Sequence, residues 1–394
     1  MLKKTLPNPV KTTLQIHSQA KVEFYANYLK RYLRILNLSP HIERINIYDV
    51  FCGMGIYEDG GKGSPVIAFD AIKLLRIHEP SESEIRLIIN DKEREKVEAV
   101  KAYIGEKNKG YCEVTDYNLD IETMFQIVKQ QVSQSSRKTR NLIFIDPYGY
   151  KNIKKEMLYD LMANGKTEII LFLPISHMHR FTRKAVQDQE TEQYRPLREF
   201  VYSYFEEDHI IRTQQVEVME YINYIKEALK YGGNFYTTSY YIKRDASNYF
   251  ALFFMSSHIY GFQKILEVKW ELDTEAGRGF KLPKPHAGAG LFDEHFEEES
   301  KNKLAEVLKN ILLKALESPI TNKELYQIIL RNEYLPKQAI TVLKEIQESN
   351  SGFKVVNLQN GKPPKKGAFY IDWKYYKEEY PKVTFLLEKK NENN

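Results

Sequence analysis

Apolar residues recur at two alternating spacings along the first part of the chain. Residues 18–37 carry them at helical spacing, with lysine and arginine between, which predicts an amphipathic helix. Short apolar runs that predict buried strands follow at 45–50, 85–89, 111–114, 141–145 and 168–173. Helical patterns separate the first four runs, at 65–77, 92–104 and 121–132. Strands that alternate with helices predict βαβ units in a mostly parallel sheet.

The pattern then changes twice before the end of this first domain. Residues 177–232 form a long polar helical stretch, which predicts a helical insertion. Apolar runs at 234–241 and 249–255, joined by a turn-prone segment, predict an antiparallel pair that closes the sheet. Residues 277–292 are rich in glycine and proline and predict a loop or linker. The predicted fold class is therefore α/β, a Rossmann-like doubly wound, mostly parallel sheet over residues 1–290.

Residues 300–385 predict a separate C-terminal domain of three helices and two strands. Thr321 begins a capping box for the second helix, and Pro336 suits the first turn of the third. Apolar runs at 353–358 and 368–371 predict the two strands of a hairpin. Three helices followed by a hairpin predict a winged-helix domain.

Composition narrows the class of protein. Of the 394 residues, 42% are hydrophobic, so packed domains are expected rather than disorder. The two cysteines, Cys52 and Cys112, are too few for a disulfide scaffold or a cysteine-built metal centre within this chain alone. No apolar run is long enough to span a bilayer and no signal-peptide pattern is present, so no membrane contact and a cytoplasmic location are expected. The net charge of +5 says little about partners.

Glycines and acids follow the predicted strands, at the edge where open α/β sheets bind ligands. Gly53 and Gly55 follow the first strand and allow a tight turn, although a turn without a ligand is an alternative. Asp91 follows the second strand, where an acid accepts hydrogen bonds from a ribose diol. Asp116 follows the third strand, where it would receive an adenine amino group. Either acid alone could cap a helix, but with Asp49 three acids follow three successive strands.

The most informative segment is Asp146-Pro147-Tyr148-Gly149, which follows the fourth apolar strand. The Asp146 carboxylate and a neighbouring carbonyl can hold the two hydrogens of an exocyclic amine and aim its nitrogen at a methyl group. Pro147 leaves nearby carbonyls free to accept, and Tyr148 can stack on a flipped base. The alternative is a strand that ends in a β-turn. Cytosine C5 chemistry is disfavoured because neither cysteine follows the fourth strand, where its nucleophile is needed.

Basic residues in two regions are candidates for binding phosphate. His17 and Lys21 share one face of the first helix and could flank a cofactor or bind phosphate. The predicted winged helix contributes Arg331, Lys337, Lys362, Lys365 and Lys366. Nucleic acid is the expected partner, with a solvated basic face and a protein-docking module as alternatives. His177 and His179 lack a third ligand, so no metal is predicted.

The segment Asp49-x-Phe51-x-Gly53-x-Gly55 resembles motif I of class I methyltransferases. The resemblance implies a class I methyltransferase sheet that binds S-adenosylmethionine. It implies that Gly53 and Gly55 flank the methionine part of the cofactor, with Asp49 close to its ammonium. Phe51 belongs to the same predicted cofactor site.

Asp146-Pro147-Tyr148-Gly149 is similar to the Asp/Asn-Pro-Pro-Tyr/Phe motif of amino-methyltransferases. It is closer to the Asp-Pro-Phe-Gly form of tRNA guanine-N2 dimethyltransferases. The resemblance implies Asp146, Pro147 and Tyr148 as the site of the substrate amine. Gly149 departs from the adenine-methylase form, which leaves the identity of the base open.

Taken in order along the chain, these motifs resemble those of the three-Cys-motif partner protein family (TcmP). His17-x-x-x-Lys21, Gly63-Ser64-Pro65 and the predicted winged helix belong to the same resemblance. It implies an S-adenosylmethionine-dependent methyltransferase that is encoded beside a cysteine-motif protein, itself similar to radical-S-adenosylmethionine enzymes. That cysteine-motif protein is a candidate partner.

The leading hypothesis is a methyltransferase that acts on an exocyclic amino group of a nucleic-acid base. The alternative is a non-catalytic adaptor that binds S-adenosylmethionine or a nucleotide and serves the cysteine-motif partner. A nucleotide-dependent oxidoreductase or a nuclease accessory is a third hypothesis. DNA, RNA and protein all stay open as substrates.

Overall fold

The computed structural model describes residues 16–244, 248–273, 279–281 and 304–388. The described residues form two compact units. The first unit runs to Ser257 and includes residues 279–281. The second comprises His258 to residue 273 and residues 304–388. No helix in these ranges is long and apolar enough to cross a bilayer.

The first unit contains an eight-stranded sheet flanked by helices. Its strands are β1 (Arg44–Asp49), β2 (Glu84–Asn90), β3 (Glu113–Tyr117), β4 (Thr139–Ile145), β5 (Thr167–Leu173), β6 (Tyr236–Lys243), β7 (Tyr249–Ser256) and β8 (Gly279–Lys281). Its helices are α1 (Ile16–Asn37), α2 (Ser64–His78), α3 (Arg94–Lys107), α4 (Ile121–Ser133), α5 (Lys155–Met162), α6 (Ile175–Gln187), α7 (Arg195–Tyr204), α8 (Ile210–Thr213) and α9 (Val218–Leu229). Helices α6 to α9 occupy the predicted insertion.

The strand order is β3-β2-β1-β4-β5-β7-β6-β8. Strands β1 to β5 are parallel, and β7 is antiparallel to both β5 and β6. The order reverses between β1 and β4, which pair directly. Open sheets bind ligands at such a switch point, beyond the carboxyl ends of the strands. Asp49 ends β1 and Asp146 follows β4, so the topology sets these two acids side by side.

Helices cover both faces of this sheet. Ile143 and Ile145 of β4 pack in one apolar cluster with residues of α4 and α5. Between them Phe144 points to the other face, where its ring centroid lies 4.4 Å from that of Tyr25 on α1. Strands covered on both sides carry continuous apolar runs, which is why the sequence marks them so clearly. The predicted doubly wound, mostly parallel α/β sheet is confirmed.

One strand of the first unit lies where a loop was predicted. Gly279–Lys281 pairs in parallel with β6, whereas residues 277–292 were predicted to be a loop or linker. A Cβ on Gly279 would lie 2.3 Å from the carbonyl oxygen of Tyr241, so only glycine fits this close approach. Apart from β8, the predicted loop lies outside the described residues.

The second unit combines helices with a small antiparallel sheet. Its helices are α10 (Ile259–Glu271), α11 (304–315), α12 (Asn322–Arg331), α13 (Pro336–Ser349) and α14 (Trp373–Tyr376). Its strands are β9 (Ile320–Thr321), β10 (Phe353–Asn357) and β11 (Val383–Leu387), in the order β10-β11-β9. The Thr321 capping box and the start of α13 at Pro336 are as predicted. Helix α10, which the predicted domain 1–290 includes, groups with this unit.

The second strand of the predicted hairpin is wrong. Strand β10 pairs with β11, and residues 368–371 form no strand. Phe369 and Ile371 are buried, so their alternation comes from core packing and not from strand pairing. Tyr370 between them has a φ of 55°, which a strand does not allow. The winged-helix assignment of this unit stays a prediction.

Candidate active site

The chain turns sharply after β1. Gly53 and Gly55 have φ values of +60° and +74°, in the left-handed region that favours glycine. A Cβ on Gly55 would lie 2.7 Å from Cγ2 of Val100, because α3 packs against this glycine. A Cβ on Gly53 would meet no heavy atom within 4 Å. The turn is therefore packed at Gly55 and open at Gly53, which leaves space for a ligand.

Asp91 connects the end of β2 to this turn. One of its carboxylate oxygens accepts a hydrogen bond from the Gly53 N–H at 3.2 Å, and the other accepts from the Glu93 N–H at 3.0 Å. The preceding Asn90 donates to the Val50 carbonyl at 3.1 Å and accepts from the Leu119 N–H at 3.0 Å. The side chains of Asn90 and Asp91 thus tie together the segments that follow β1, β2 and β3. Asn90 was not selected from the sequence, although an asparagine directly after the apolar run at 85–89 was a visible signal.

Asp116 lies within β3 and not after it, because this strand extends to Tyr117. Its carboxylate pairs with the Lys101 ammonium of α3 at 3.1 Å. The carboxylate of Asp116 therefore already has a cationic partner, in contrast to Asp49. The predicted contact of Asp116 with an adenine amino group stays a prediction.

Asp49 is fully buried at the switch point. Neither of its carboxyl oxygens has a hydrogen-bond partner of good geometry. Burial raises the pKa of Asp49 to about 7; the charge of Asp146 adds to the rise, while Ser64, the Phe51 N–H and Lys21 oppose it. Buried polar groups nearly always have a partner, so this carboxyl is a site where a ligand can supply one. The Phe51 side chain itself packs against the apolar cluster on the α4 face of the sheet.

Asp146 forms an ion pair with Lys21 of α1. The two side chains are 21% and 13% exposed, so the pair is largely shielded from water. The Lys21 ammonium also lies 4.7 Å from the ring centroid of Phe172, near the end of β5. Lys21 was predicted to bind phosphate or flank a cofactor together with His17, but it pairs with the predicted target-binding acid. The side chain of His17 lies outside the described residues.

Tyr148 is 73% exposed, yet its hydroxyl is anchored. The Lys96 ammonium donates to it at 2.6 Å and lies 4.5 Å from the ring centroid. Glu93 pairs with the same ammonium at 2.7 Å. Pro147 is buried, and a Cβ on Gly149 would meet no heavy atom within 4 Å. The Asp-Pro-Tyr-Gly segment therefore presents a held aromatic ring beside open space.

Two tyrosines that were not selected from the sequence belong to the same region. Tyr57 follows the glycine turn, and burial together with the charges of Asp146, Tyr148 and Asp49 raises its pKa. Tyr25 is fully buried with an unpartnered hydroxyl, and burial and the charge of Asp49 raise its pKa. Among 28 tyrosines, no sequence signal distinguishes these two. Ser64 was singled out in the Gly63-Ser64-Pro65 motif but was not assigned to the cofactor site. Gly63 takes the N-cap position of α2, and the Ser64 side chain faces Asp49.

The two candidate histidines have separate partners. His177 Nδ1 lies 3.2 Å from the Tyr150 hydroxyl, and His179 Nε2 lies 2.7 Å from the Val216 carbonyl oxygen. Within the described ranges, no group of three or more His, Cys, Asp and Glu side chains could hold a metal.

The candidate phosphate-binding residues of the second unit occupy three elements. Arg331 ends α12, Lys337 lies in the first turn of α13, and the other three lie in the segment between β10 and β11. Those three are Lys362, Lys365 and Lys366. The Lys366 ammonium pairs with Glu348 of α13 at 3.3 Å. Their contact with nucleic acid stays a prediction.

No protein-family model matches this sequence, and no curated protein matches it. Among solved structures, it is similar to the O-methyltransferase from Bacillus cereus in complex with SAH, at 13% identity over 62% of this chain and 88% of that chain, with a TM-score of 0.32. It is also similar to PKMT2 from Rickettsia typhi in complex with AdoHcy, at 10% identity over 61% and 56% of the two chains, with a TM-score of 0.27. Loganic acid methyltransferase with SAH matches at 10% identity over 87% and 92%, with a TM-score of 0.26. These TM-scores are all below 0.5, so the fold is assigned from the chain itself. The strand order of the first unit is that of a Rossmann-like fold.

Proposed function

We propose that this protein transfers a methyl group from S-adenosylmethionine to an exocyclic amino group of a nucleic-acid base. The observation that carries the proposal is the buried carboxyl of Asp49 at the switch point, which has no hydrogen-bond partner of good geometry. Leaving a buried polar group unsatisfied costs roughly 1–3 kcal/mol, and more when it is charged. A ligand that brings an ammonium to this carboxyl recovers that energy on binding.

The cofactor fits the residues at this edge of the sheet. Asp49 would hold its ammonium, and the open side of Gly53 would accept its methionine part. Asp91 would accept from the ribose diol: each carboxylate oxygen accepts one backbone N–H, and each has a second lone-pair site. When bound, S-adenosylmethionine supplies an electrophilic methyl group on a sulfonium. The antiparallel β7 between β5 and β6 supports a class I methyltransferase sheet, as motif I predicts.

Asp146 would bind the target amine. Its carboxylate lies one strand away from Asp49, so an amine held there faces the cofactor edge. By accepting an N–H of the amine, the carboxylate would orient the nitrogen lone pair. It would receive the proton as the N–C bond forms and the bond from the methyl group to sulfur breaks, which leaves sulfur as a neutral thioether. Lys21 bonds to Oδ2 of this carboxylate and would act as a positioning residue that keeps it oriented.

Tyr148 would support the base that carries the amine. A base must leave its stack to reach the sheet edge, which costs a few kcal/mol that stacking on an aromatic ring can offset. Tyr148 offers an exposed ring that Lys96 holds in place, and Gly149 leaves the adjoining space open.

A non-catalytic adaptor is the second candidate function. The Lys21 ion pair favours it, because Lys21 already donates to the acid that would hold the target. The order of the motifs along the chain supports membership of the TcmP family. Membership would imply a cysteine-motif partner and a C-terminal winged helix. Co-purification with that partner and no methyl transfer would favour the adaptor.

The test compares cofactor binding with methyl transfer. Calorimetry should detect binding of S-adenosylhomocysteine and not of NAD. Radiolabelled S-adenosylmethionine should then label total DNA or RNA from the host in preference to protein. Asp146→Asn should abolish the labelling and keep S-adenosylhomocysteine binding, while Asp160→Asn, an exposed acid on α5, should change neither. Full labelling by Asp146→Asn would contradict the catalytic assignment.

A further inference from the structure

Helix α6 carries positive charge without any acid. Its 13 residues include three cations and two histidines, and no Asp or Glu. Four exposed residues form what we call the α6 basic face: His177, Arg180, Arg183 and Lys184. The helix is anchored from its other side by buried residues such as Met178 and Ala185. Because His177, Arg180 and Lys184 are spaced three and four residues apart, their side chains follow one line along the helix.

The α6 basic face adjoins the candidate active site. Helix α6 begins two residues after β5 ends, at the same edge of the sheet as Asp146. The Tyr150 hydroxyl lies 3.2 Å from Nδ1 of His177, and the two ring centroids are 5.8 Å apart. Tyr150 directly follows the Asp-Pro-Tyr-Gly segment. A strand whose base reached Tyr148 would therefore pass close to α6.

Both acids and cations border this surface. Of the acids that follow Asp188, Glu190 is exposed, while Glu192 and Glu199 are within ion-pair distance of Arg195 at 3.4 and 2.9 Å. Asp188 accepts hydrogen bonds from Thr191. Lys151 and Lys154 are exposed on the loop that follows the Asp-Pro-Tyr-Gly segment.

We propose that the α6 basic face binds the phosphodiester backbone of the nucleic acid whose base enters the Asp146 site. This inference rests on the proposed function and names the surface that holds the strand. From His177 to Lys184 the helix rises about 10 Å at about 1.5 Å per residue. That length exceeds the spacing of neighbouring phosphates on one strand, which is about 3.4 Å along the axis of a double helix, so the face can contact more than one phosphate. No large apolar side chain is exposed among the described residues of α6, which disfavours a membrane surface as the ligand.

The test measures how nucleic-acid binding depends on salt. The variant Arg180→Gln/Arg183→Gln/Lys184→Gln removes three cations from the α6 basic face. The matched control Lys30→Gln/Lys109→Gln/Arg137→Gln removes three exposed cations toward the opposite edge of the sheet. The probes are fluorescein-labelled 30-nucleotide oligo(dT) and oligo(U), titrated by anisotropy from 50 to 200 mM KCl, so that DNA and RNA are compared directly.

The slope of log K against log salt is negative, and each phosphate contact on a single strand contributes about 0.7 to its magnitude. Because the α6 variant lacks three cations, we expect the magnitude of its slope to be smaller by about 2. The control should keep the slope of the unmodified protein. Equal slopes for the α6 variant and the control would overturn the proposal. The proposal would also be overturned if poly-glutamate displaced the labelled strand as effectively as unlabelled oligonucleotide does at equal total charge.

Calorimetry with S-adenosylhomocysteine on the same proteins separates this proposal from the proposed function. If S-adenosylhomocysteine does not bind but the α6 variant loses oligonucleotide affinity, the methyltransferase proposal fails and the nucleic-acid surface stands. If S-adenosylhomocysteine binds every variant and oligonucleotide binding does not change in the α6 variant, the nucleic-acid surface fails and the methyltransferase proposal stands.

Discussion

Two buried carboxyl groups lie at opposite edges of the same sheet, and only one of them is satisfied. Glu168, near the amino end of β5, accepts hydrogen bonds from Tyr28 and from the Ser256 hydroxyl at 2.8 Å. Asp49, at the carboxyl end of β1, has no hydrogen-bond partner of good geometry. Burial raises the pKa of each to about 7. A shifted pKa alone therefore does not identify a functional acid; the difference lies in the unfilled hydrogen-bonding capacity.

The surroundings of the two carboxyl groups differ in the same way. Around Glu168, α1 docks on the strands through aromatic contacts such as Tyr28 with Phe254, whose ring centroids are 5.0 Å apart. Around Asp49, the same helix contributes Tyr25, whose hydroxyl is unpartnered, and Lys21, which pairs with Asp146. One helix thus contributes packing contacts around Glu168, and an unpartnered hydroxyl and an ion pair around Asp49.

The largest expected effect comes from Asp49→Asn. Loss of the charge removes a charge-assisted contact worth about 1.5–3 kcal/mol, so S-adenosylhomocysteine should bind about 10- to 100-fold more weakly. Calorimetry at pH 7.5 measures the change, and Asp160→Asn provides the surface control. Glu168→Gln should leave this affinity unchanged. Unaltered binding by Asp49→Asn would remove the distinction between the two acids.

The pH dependence of stability should sharpen the comparison next. The folded pKa of Glu168, about 7, is above its unfolded value of 4.5, so its stabilising contribution is present below pH 4.5 and is lost as pH rises toward 7. Glu168→Gln removes this dependence, so the variant should be only slightly more stable than the unmodified protein at pH 5, where the loss has just begun. By pH 8 it should be more stable by up to about 3 kcal/mol, because each unit of pKa shift corresponds to about 1.36 kcal/mol.

Urea unfolding at pH 5 and pH 8 measures the free energy of unfolding for both proteins. Asp49→Asn should show the same trend, because burial raises the folded pKa of Asp49 too. The two variants would then agree in stability and differ in cofactor binding. A stability difference that is equal at both pH values would contradict the buried-carboxyl interpretation.

The sequence predicted the sheet well, because its strands are buried on both faces and show as uninterrupted apolar runs. It also predicted the edge where Asp49, Asp91 and Asp146 meet, since strand ends and a glycine turn are local features. It could not predict the ion pair of Lys21 with Asp146, whose members are 125 residues apart. Helical periodicity shows which residues share a face and not which strand that face meets.

The second unit shows the opposite limit of sequence reasoning. Its helix starts at Thr321 and Pro336 carry local capping signals and were predicted correctly. Its hairpin was predicted incorrectly, because Phe369 and Ile371 have the two-residue spacing of a strand while their side chains pack in the core. The true partner of β10 comes after α14, and nothing local to the sequence marks so long a connection.

Tyr28→Phe should have a smaller effect at the satisfied edge. The change removes one donor from the buried Glu168 carboxyl and leaves the ring contacts intact, so the free energy of unfolding should fall by about 1–2 kcal/mol at pH 7.5. Tyr25→Phe removes a hydroxyl without a partner, so it should cost little or should stabilise the protein. Urea unfolding compares the two variants, and equal losses would argue that hydrogen bonding does not distinguish the two edges.

The smallest effect expected at the unsatisfied edge is that of Lys21→Met. If Lys21 positions Asp146, the variant should lower kcat for methyl transfer about tenfold and leave the KM for S-adenosylmethionine unchanged. Lys21→Arg keeps the positive charge and should restore most of the rate. Initial rates on the host nucleic-acid pool that accepts methyl groups measure both, with Lys30→Met, farther along α1, as the control. A rise in rate for Lys21→Met would instead mean that the lysine occupies the place of the target amine, and the comparison would then be between a satisfied acid and a blocked one.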